Sequence, residues 1–315
     1  MAAISMGTNF PPELVRSMMS LVTGHSSLAR LSERQPIPFV GEKIFTFTLD
    51  KEADIVAENG AKSAGGATLG TISINPVKFE YSARVSDEFM RADEEYQLRV
   101  LEEFGDGAGR AFARALDLAA FHGVNPRTNA DSAVVGENNF DDKIDNDVTY
   151  VAAKPDDNLD AAIALITGAD REFNGVAMAP AMAADMAKVK VNGVVQYPEF
   201  RFGGRPASFA GINLDINNTV SKMPTSVETT SMAYVGDFAN RFRWGYATDM
   251  PVEIIQYGNP DNDTTAGDLR GHNQILLRLE AFIGWGILDP SAFAVITAAA
   301  AGGRRSGTGT GSRAT

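Results

Sequence analysis

The sequence predicts an α+β fold in which one very long amphipathic helix organises the core and a two-stranded arm stands away from it. Three observations point there: strict alternation from Lys43, a Gly-rich excursion from Glu58-Asn59-Gly60 to Gly70, and a helical stripe that starts near Ser86 and runs to Gly123. A two-stranded arm cannot bury both of its faces by itself. It therefore predicts a surface to lie on, most economically a second copy of the same chain.

Taken in order, Pro11 to Leu21 reads as a helix opening with Pro11-Pro12-Glu13 and burying Leu14, Met18 and Leu21, with Gly24 as its stop. Arg34-Gln35-Pro36-Ile37-Pro38 reads as extended backbone, because a residue before proline is pushed out of the helical region. From Lys43, Phe45, Phe47 and Leu49 share one strand face and Ile44, Thr46 and Thr48 the other. The returning strand carries Ile72 and Ile74. After Pro76 the phase changes, and Val77, Phe79, Tyr81, Ala83 and Val85 point together, which predicts a bend at the proline.

Ser86 and Asp87 cap a short helix holding Phe89 and Met90, and Asp93, Glu94 and Glu95 open the long one at its favourable end. Leu101, Phe104, Ala108, Phe112, Ala115 or Leu116 and Ala119 form its stripe, reaching about Phe121. Some ~28 residues give a rod of roughly 40 Å. Gly105, Gly107 and Gly109 weaken it and predict close packing or a curve there.

A polar loop follows Gly123. Asn158 to Thr167 is then a helix with Leu159, Ile163 and Ile166 on one side, Val176 to Met178 a buried strand, and Pro180 the start of a helix with Met182 and Met186 inward. Ile212, Leu214 and Ile216 alternate, as do Phe242, Trp244 and Tyr246, so residues 156 to 247 read as a mixed sub-domain. Val252 to Tyr257 and Gln274 to Ile283 are strands about an acidic turn, Asn259 to Asp268. They are expected to return to the long helix, whose stripe otherwise faces water.

Composition narrows the chemistry. The 315 residues are 44% apolar, an ordinary soluble composition. Zero cysteines exclude a disulfide framework, thiolate metal sites and a cysteine nucleophile. Net charge −12 makes the surface as a whole repel nucleic acid. Acid is concentrated between Asp131 and Asp160, where nine acids face Lys143 and Lys154, while the Gly/Ser/Thr-rich tail Gly302 to Thr315 carries Arg304, Arg305 and Arg313. Met1 to Phe10 lack a basic region followed by an apolar core, and no run is long enough to span a bilayer, so neither export nor membrane insertion is expected.

Candidate chemistry is sparse. His25, His122 and His272 lie in three separate neighbourhoods and read as surface or loop imidazoles, with no catalytic or metal role and no cofactor. Asp261-Asn262-Asp263-Thr264-Thr265-Ala266-Gly267-Asp268 resembles an oxygen-rich cation loop, but its glycine is one place late and no glutamate closes it, so a solvated turn is the plainer reading. A calcium-binding or hydrolytic protein using Asp261, Asp263 and Asp268 is the alternative it leaves. Gly65-Gly66 and Gly105 to Gly109 do not sit between a strand and a helix start and are not phosphate cradles. Gly236-Asp237-Phe238 and Asp289-Pro290-Ser291-Ala292-Phe293 read as turns, with Asp237 bonding nearby amides and Ser291 lacking a base.

In this order the pieces resemble the major capsid protein of tailed bacteriophages with the Hong Kong 97 type fold, from about Pro36 to Ile296. The resemblance rests on the loop with Ala57-Glu58-Asn59-Gly60, the Val85-Ser86-Asp87-Glu88 start of the spine helix, its Phe121-His122-Gly123 end, and two late motifs. These are Gly236-Asp237-Phe238 and Asp289-Pro290-x-Ala292-Phe293.

The resemblance implies an N-terminal arm (1–41), an extended loop (42–80), a peripheral domain in two parts (81–155 and 248–297), an axial domain (156–247) and a C-terminal tail (298–315). It also implies hexamers and pentamers of this one chain closing an icosahedral shell in the virion around double-stranded DNA. Separate scaffolding, portal and decoration proteins would be the other partners, contact with the packaged DNA non-specific, and synthesis and assembly cytoplasmic. Inter-subunit contact is expected from Lys51, Glu52, Glu58, Asn59, Gly60 and Lys62 of the extended loop. About 35 residues precede that loop, so a separate scaffolding protein or none is expected in place of a fused scaffolding segment, and covalent Lys-to-Asn cross-linking from Lys51 or Lys62 is left unassigned, with no matching asparagine or activating acid. An encapsulin-like cellular compartment is the nearest alternative with the same fold.

Overall fold

The structure is a computed structural model that describes residues 22–49, 55–60, 65–221, 231–247 and 252–298. The helix expected over Pro11 to Leu21 and the tail Gly302 to Thr315 lie outside them. Residues 22–25 are helical, so the chain runs through Gly24 and does not stop there. A single glycine costs a helix only about 1 kcal/mol, and here Val22 is fully buried. The break comes at Ser26, whose hydroxyl caps a new helix, Ser27–Leu31, by accepting from Ala29 N at 3.1 Å. The Pro-flanked stretch is extended as expected: Gln35 N donates to the Trp244 carbonyl at 2.9 Å and Ile37 N to that of Tyr246 at 3.3 Å.

The arm is an antiparallel hairpin, Glu42–Leu49 with Ala67–Ile74, registered from Glu42↔Ile74 to Leu49↔Ala67. Past Asn75-Pro76 the chain leaves the hairpin and Val77–Ser86 pairs along ten residues of the 14-residue strand Gln274–Ile287. That long strand also pairs with Phe242–Tyr246 and Val252–Ile255 on its other edge, making a four-stranded antiparallel sheet.

The spine helix is Glu94–His122, 29 residues, capped by the Asp93 carboxylate accepting from Tyr96 N at 2.9 Å and ended by Gly123 at φ +69°. It lies on the four-stranded sheet through Phe104 against Tyr81 and Phe112 against Phe79. Gly107 lets it approach: a Cβ there would lie 3.3 Å from the Tyr81 hydroxyl. Its first turns bury one stripe, but residues 115 to 122 are buried all round, because the helix end is enclosed on several sides.

The second sheet has six strands in the order Ser208–Phe209, Ile212–Ile216, Gly175–Met178, Ser231–Gly236, Phe293–Ala298, Asp147–Tyr150. One face packs Val176, Met178, Val235 and Ile296 against the helices Pro155–Gly168 and Pro180–Met186. The other face sends Tyr234, Phe293 and Val295 into the same core as the spine helix. Two sheet memberships differ from the sequence reading. Phe242–Tyr246, grouped there with residues 156 to 247, belongs to the four-stranded sheet. The last strand, Phe293–Ala298, counted there with the second peripheral part (248–297), joins the six-stranded sheet and pairs in parallel with Asp147–Tyr150, a strand inside the expected polar loop. Its partners lie some 150 residues away, and local alternation carries no information about which sheet a strand joins. Among the described residues no helix is long and apolar enough to cross a membrane.

Candidate assembly surface

The hairpin is packed tightly at its root, and several of its described side chains farther out are exposed. At the root, Ile74 is fully buried and lies against two glycines of the long strand: a Cβ at Gly286 would fall 2.7 Å from its Cγ1, and one at Gly284 3.3 Å from its Cγ2. Gly245, the register partner of Gly284, gives the same clearance to the N-terminal segment, since a Cβ there would stand 1.6 Å from the Gln35 carbonyl oxygen. These glycines form a floor without side chains, while the opposite face of the same strands carries Trp244 and Trp285 into the core. Arg243 adds an ion pair to Glu42 at 3.0 Å where the hairpin begins. Gly41, at φ +82°, turns the chain into it.

Beyond this root the hairpin presents apolar side chains to solvent. Phe45 is 66% exposed, Leu69 63% and Ile55 99%. Leaving such side chains in water forgoes about 1.5–3 kcal/mol each relative to burial. Glu58, Asn59 and Gly60 are exposed in a tight turn, with Asn59 at φ +67° and Gly60 N bonded to the Ala57 carbonyl at 2.8 Å. Lys51, Glu52 and Lys62 lie outside the described residues. Beside the hairpin root an open recess of about 310 Å³, lined in part by Ile72, Pro76, Val134 and Trp285, brings in one charged side chain, Lys143.

The two late motifs meet in space. Gly236 and Phe293 are register partners, Asp237 N donates to the Ala292 carbonyl at 3.2 Å, and the rings of Phe238 and Phe293 stand edge to face at 5.3 Å. Asp237 caps the helix Phe238–Arg241 by accepting from Asn240 N at 3.1 Å, and it also bonds Asn174. Asp289 caps the turn that begins at Pro290, accepting from Ser291 N at 3.2 Å and from Arg171 Nε at 2.7 Å. Burial works against the ionisation of Asp289, yet the bonds from Ser291 and Arg171 outweigh it and hold the carboxyl below its ordinary range. All six motif positions thus act in packing and capping.

Two polar groups are placed otherwise than the sequence reading expects. His122 is not a surface imidazole; its side chain is 1% exposed, with Nδ1 2.8 Å from Asp141 Oδ2 and Nε2 3.0 Å from the Thr219 carbonyl. Asp141 also accepts from the Tyr234 hydroxyl. Since Nε2 is spent on a carbonyl and the ring is sealed from solvent, this cluster joins helix end to sheet and offers no face to a substrate.

Asp117, five residues before His122, is fully buried. It accepts from Ser26 Oγ at 2.6 Å, Ser27 N at 2.9 Å, Leu28 N at 3.3 Å and Thr219 Oγ1 at 2.7 Å. Burial pushes its carboxyl up to about 6 against those four hydrogen bonds. With Asp215, which bonds Ser27 Oγ and Arg30 at 2.6 Å each, it fastens the N-terminal segment across the spine helix and the six-stranded sheet. Asp117 falls mostly off the apolar stripe of Leu101, Phe104, Ala108 and Phe112, so local pattern gives no sign of its burial.

The acidic turn is occupied by the protein's own cation. Arg84 bonds both oxygens of Asp261, at 2.7 and 2.5 Å, and also Asn259 Oδ1 and the Gly267 carbonyl. The Asp261 carboxyl is lowered to about 2 by the Arg84 hydrogen bond. Asp263 is spent on Thr265 N and Ala266 N. Among the described residues no group of three or more potential ligand side chains is placed to hold a metal ion.

The model of the phage capsid family matches residues 7–298. A solved structure from Mycobacterium phage Ogopogo is 33% identical, with a TM-score of 0.75, over 87% of this chain and 92% of that one. One from Gordonia phage Cozz is 24% identical, with a TM-score of 0.72, over 88% and 87%. A structure titled as the capsid of a native GTA particle shares the fold at 15% identity and a TM-score of 0.61, over 95% of both chains. No match was found among curated proteins.

Proposed function

The chain belongs to the phage capsid family and is a major capsid subunit of an icosahedral phage head; from that premise we propose that it assembles as hexamers and pentamers held together by the hairpin of one copy draped over the next. The observation that carries this reading is the contrast along the hairpin: a locked root at Ile74, Gly286 and Arg243, and exposed apolar residues at Phe45 and Leu69. A free-standing hairpin of this length is marginal in water. A rigid base that aims it outward makes sense when another copy receives it.

In this proposal the four-stranded sheet and spine helix form the peripheral body, the six-stranded sheet with its two helices forms the axial body, and Glu58, Asn59 and Gly60 contact the neighbour together with Lys51, Glu52 and Lys62. Each contact is modest, and closure of many copies by symmetry makes the shell durable. The work is structural and no reaction is assigned. An overall acidic surface keeps packaged DNA from adhering to the wall. Separate scaffolding, portal and decoration proteins are the proposed partners, and assembly takes place in the host cytoplasm. Negative-stain microscopy of the purified protein tests the reading: shells or capsomer rings support it, and a monodisperse monomer that stays so with phage partners present refutes it.

A further inference from the structure

One tight turn sends two phenylalanines in opposite directions. Phe200 is buried at 2% exposure and meets Phe209 with ring centroids 5.4 Å apart, whereas Phe202, two residues on, is 98% exposed. The backbone of Phe202 is left-handed, φ +58°, a region that bulky side chains avoid. The turn leaves no slack: Gly204 N bonds the Arg201 carbonyl at 3.1 Å, and a Cβ on Gly204 would stand 2.1 Å from the Glu199 carbonyl oxygen. The Arg201 guanidinium lies over the ring, 5.0 Å from its centroid.

A single exposed hydrophobic residue is ordinary on a protein surface. An exposed aromatic ring held out by a strained backbone is not, because such strain persists where function requires it. Two exposed arginines, Arg201 and Arg205, flank the ring in a protein with 40 acidic and 28 basic residues. Acids dominate instead between Asp131 and Asp160.

We propose that the Phe202 turn is a docking knob for a second copy of this chain, the ring entering an apolar contact while Arg201 and Arg205 meet carboxylates of the partner's acidic stretch. This deepens the shell reading and rests on it. A nucleic acid is the less fitting occupant: single strands are held by successive stacking platforms along a basic groove, and here one ring stands alone with its own arginine over one face.

Phe202→Gly tests the knob, since glycine adopts the left-handed turn freely. The dissociated subunit should melt at the wild-type temperature or above, while the protein concentration needed for assembly rises about tenfold or more. R201E/R205E should weaken assembly likewise, and so should about 1 M salt acting on the wild type. The knob is overturned if Phe202→Gly assembles at wild-type concentration, if its subunit loses stability as a core variant would, or if only DNA retention falls while shells are unchanged. A wild-type protein that never assembles overturns the shell reading and the knob together; a variant that matches an assembling wild type overturns the knob alone.

Discussion

Gly236 sits directly beneath the ring of its register partner Phe293: a Cβ at position 236 would stand 2.2 Å from Phe293 Cδ1 and 2.6 Å from the Ala292 carbonyl oxygen. Phe293 cannot yield, because it is also packed edge to face on Phe140 and Phe238. Two short motifs more than fifty residues apart in the chain are therefore two halves of one joint.

Gly236→Ala is expected to destabilise the subunit by about 2 kcal/mol through overpacking. Gly168, where an added Cβ meets nothing within 4 Å, is the control, and Gly168→Ala should stay within about 0.5 kcal/mol of wild type or gain slightly. Urea unfolding of both variants checks the pair.

At the hairpin root, Ile74→Ala should cost about 3 kcal/mol, since the side chain is fully buried and its loss leaves a void. Gly286→Ala should also destabilise, by pressing on Ile74. The double variant is expected to lose less than the sum of the two by about 1 kcal/mol, because the new methyl group occupies part of the void. Strict additivity would contradict the glycine-floor account.

Asp117 predicts a pH dependence. Its carboxyl is pushed up to about 6 by burial, whereas in an unfolded chain it ionises near about 3.9. A raised folded value means that its contribution is fully present below about pH 4 and is lost as pH rises through 6. The wild type should therefore gain about 2–3 kcal/mol on Asp117→Asn between pH 7 and pH 4. A stability difference that stays constant across that range would contradict the assignment.

Arg84 and Asp261 behave in the opposite sense. The Asp261 carboxyl is lowered to about 2, so its contribution is present above the ordinary carboxylate range and is lost as pH falls through about 2. Arg84→Ala should lower the melting temperature at pH 7 and abolish the part of the acid sensitivity that comes from Asp261. Titration of the wild type with Ca²⁺ should give no heat, because Arg84 already satisfies the carboxylate; saturable heat would revive a cation role for the turn.

Much of the architecture was legible from local pattern. The hairpin, the bend at Pro76, the caps at Ser86 and Asp93 and the 29-residue helix follow from alternation, punctuation and capping, which act over a few residues. What was not legible depends on which elements meet. Nothing near Val295 in sequence shows that it pairs with Asp147, and nothing near Asp117 shows that four donors converge on it. The glycine floor reads locally as weak strand, and its purpose appears only when Ile74 and Gln35 lie over it. Of the expected contact residues, the exposure of Glu58, Asn59 and Gly60 accords with their loop composition, while the isolated Phe202 reads in sequence as one more aromatic in a Pro/Gly-rich turn.

The central claim is that the exposed hairpin is completed by a neighbouring copy, and it is tested most directly by introducing Phe45→Asp and Leu69→Asp together. Both side chains are more than half exposed, so the free subunit should fold and melt like wild type, while negative-stain images should show few or no closed shells. Shells of wild-type number and durability from this variant would contradict the account.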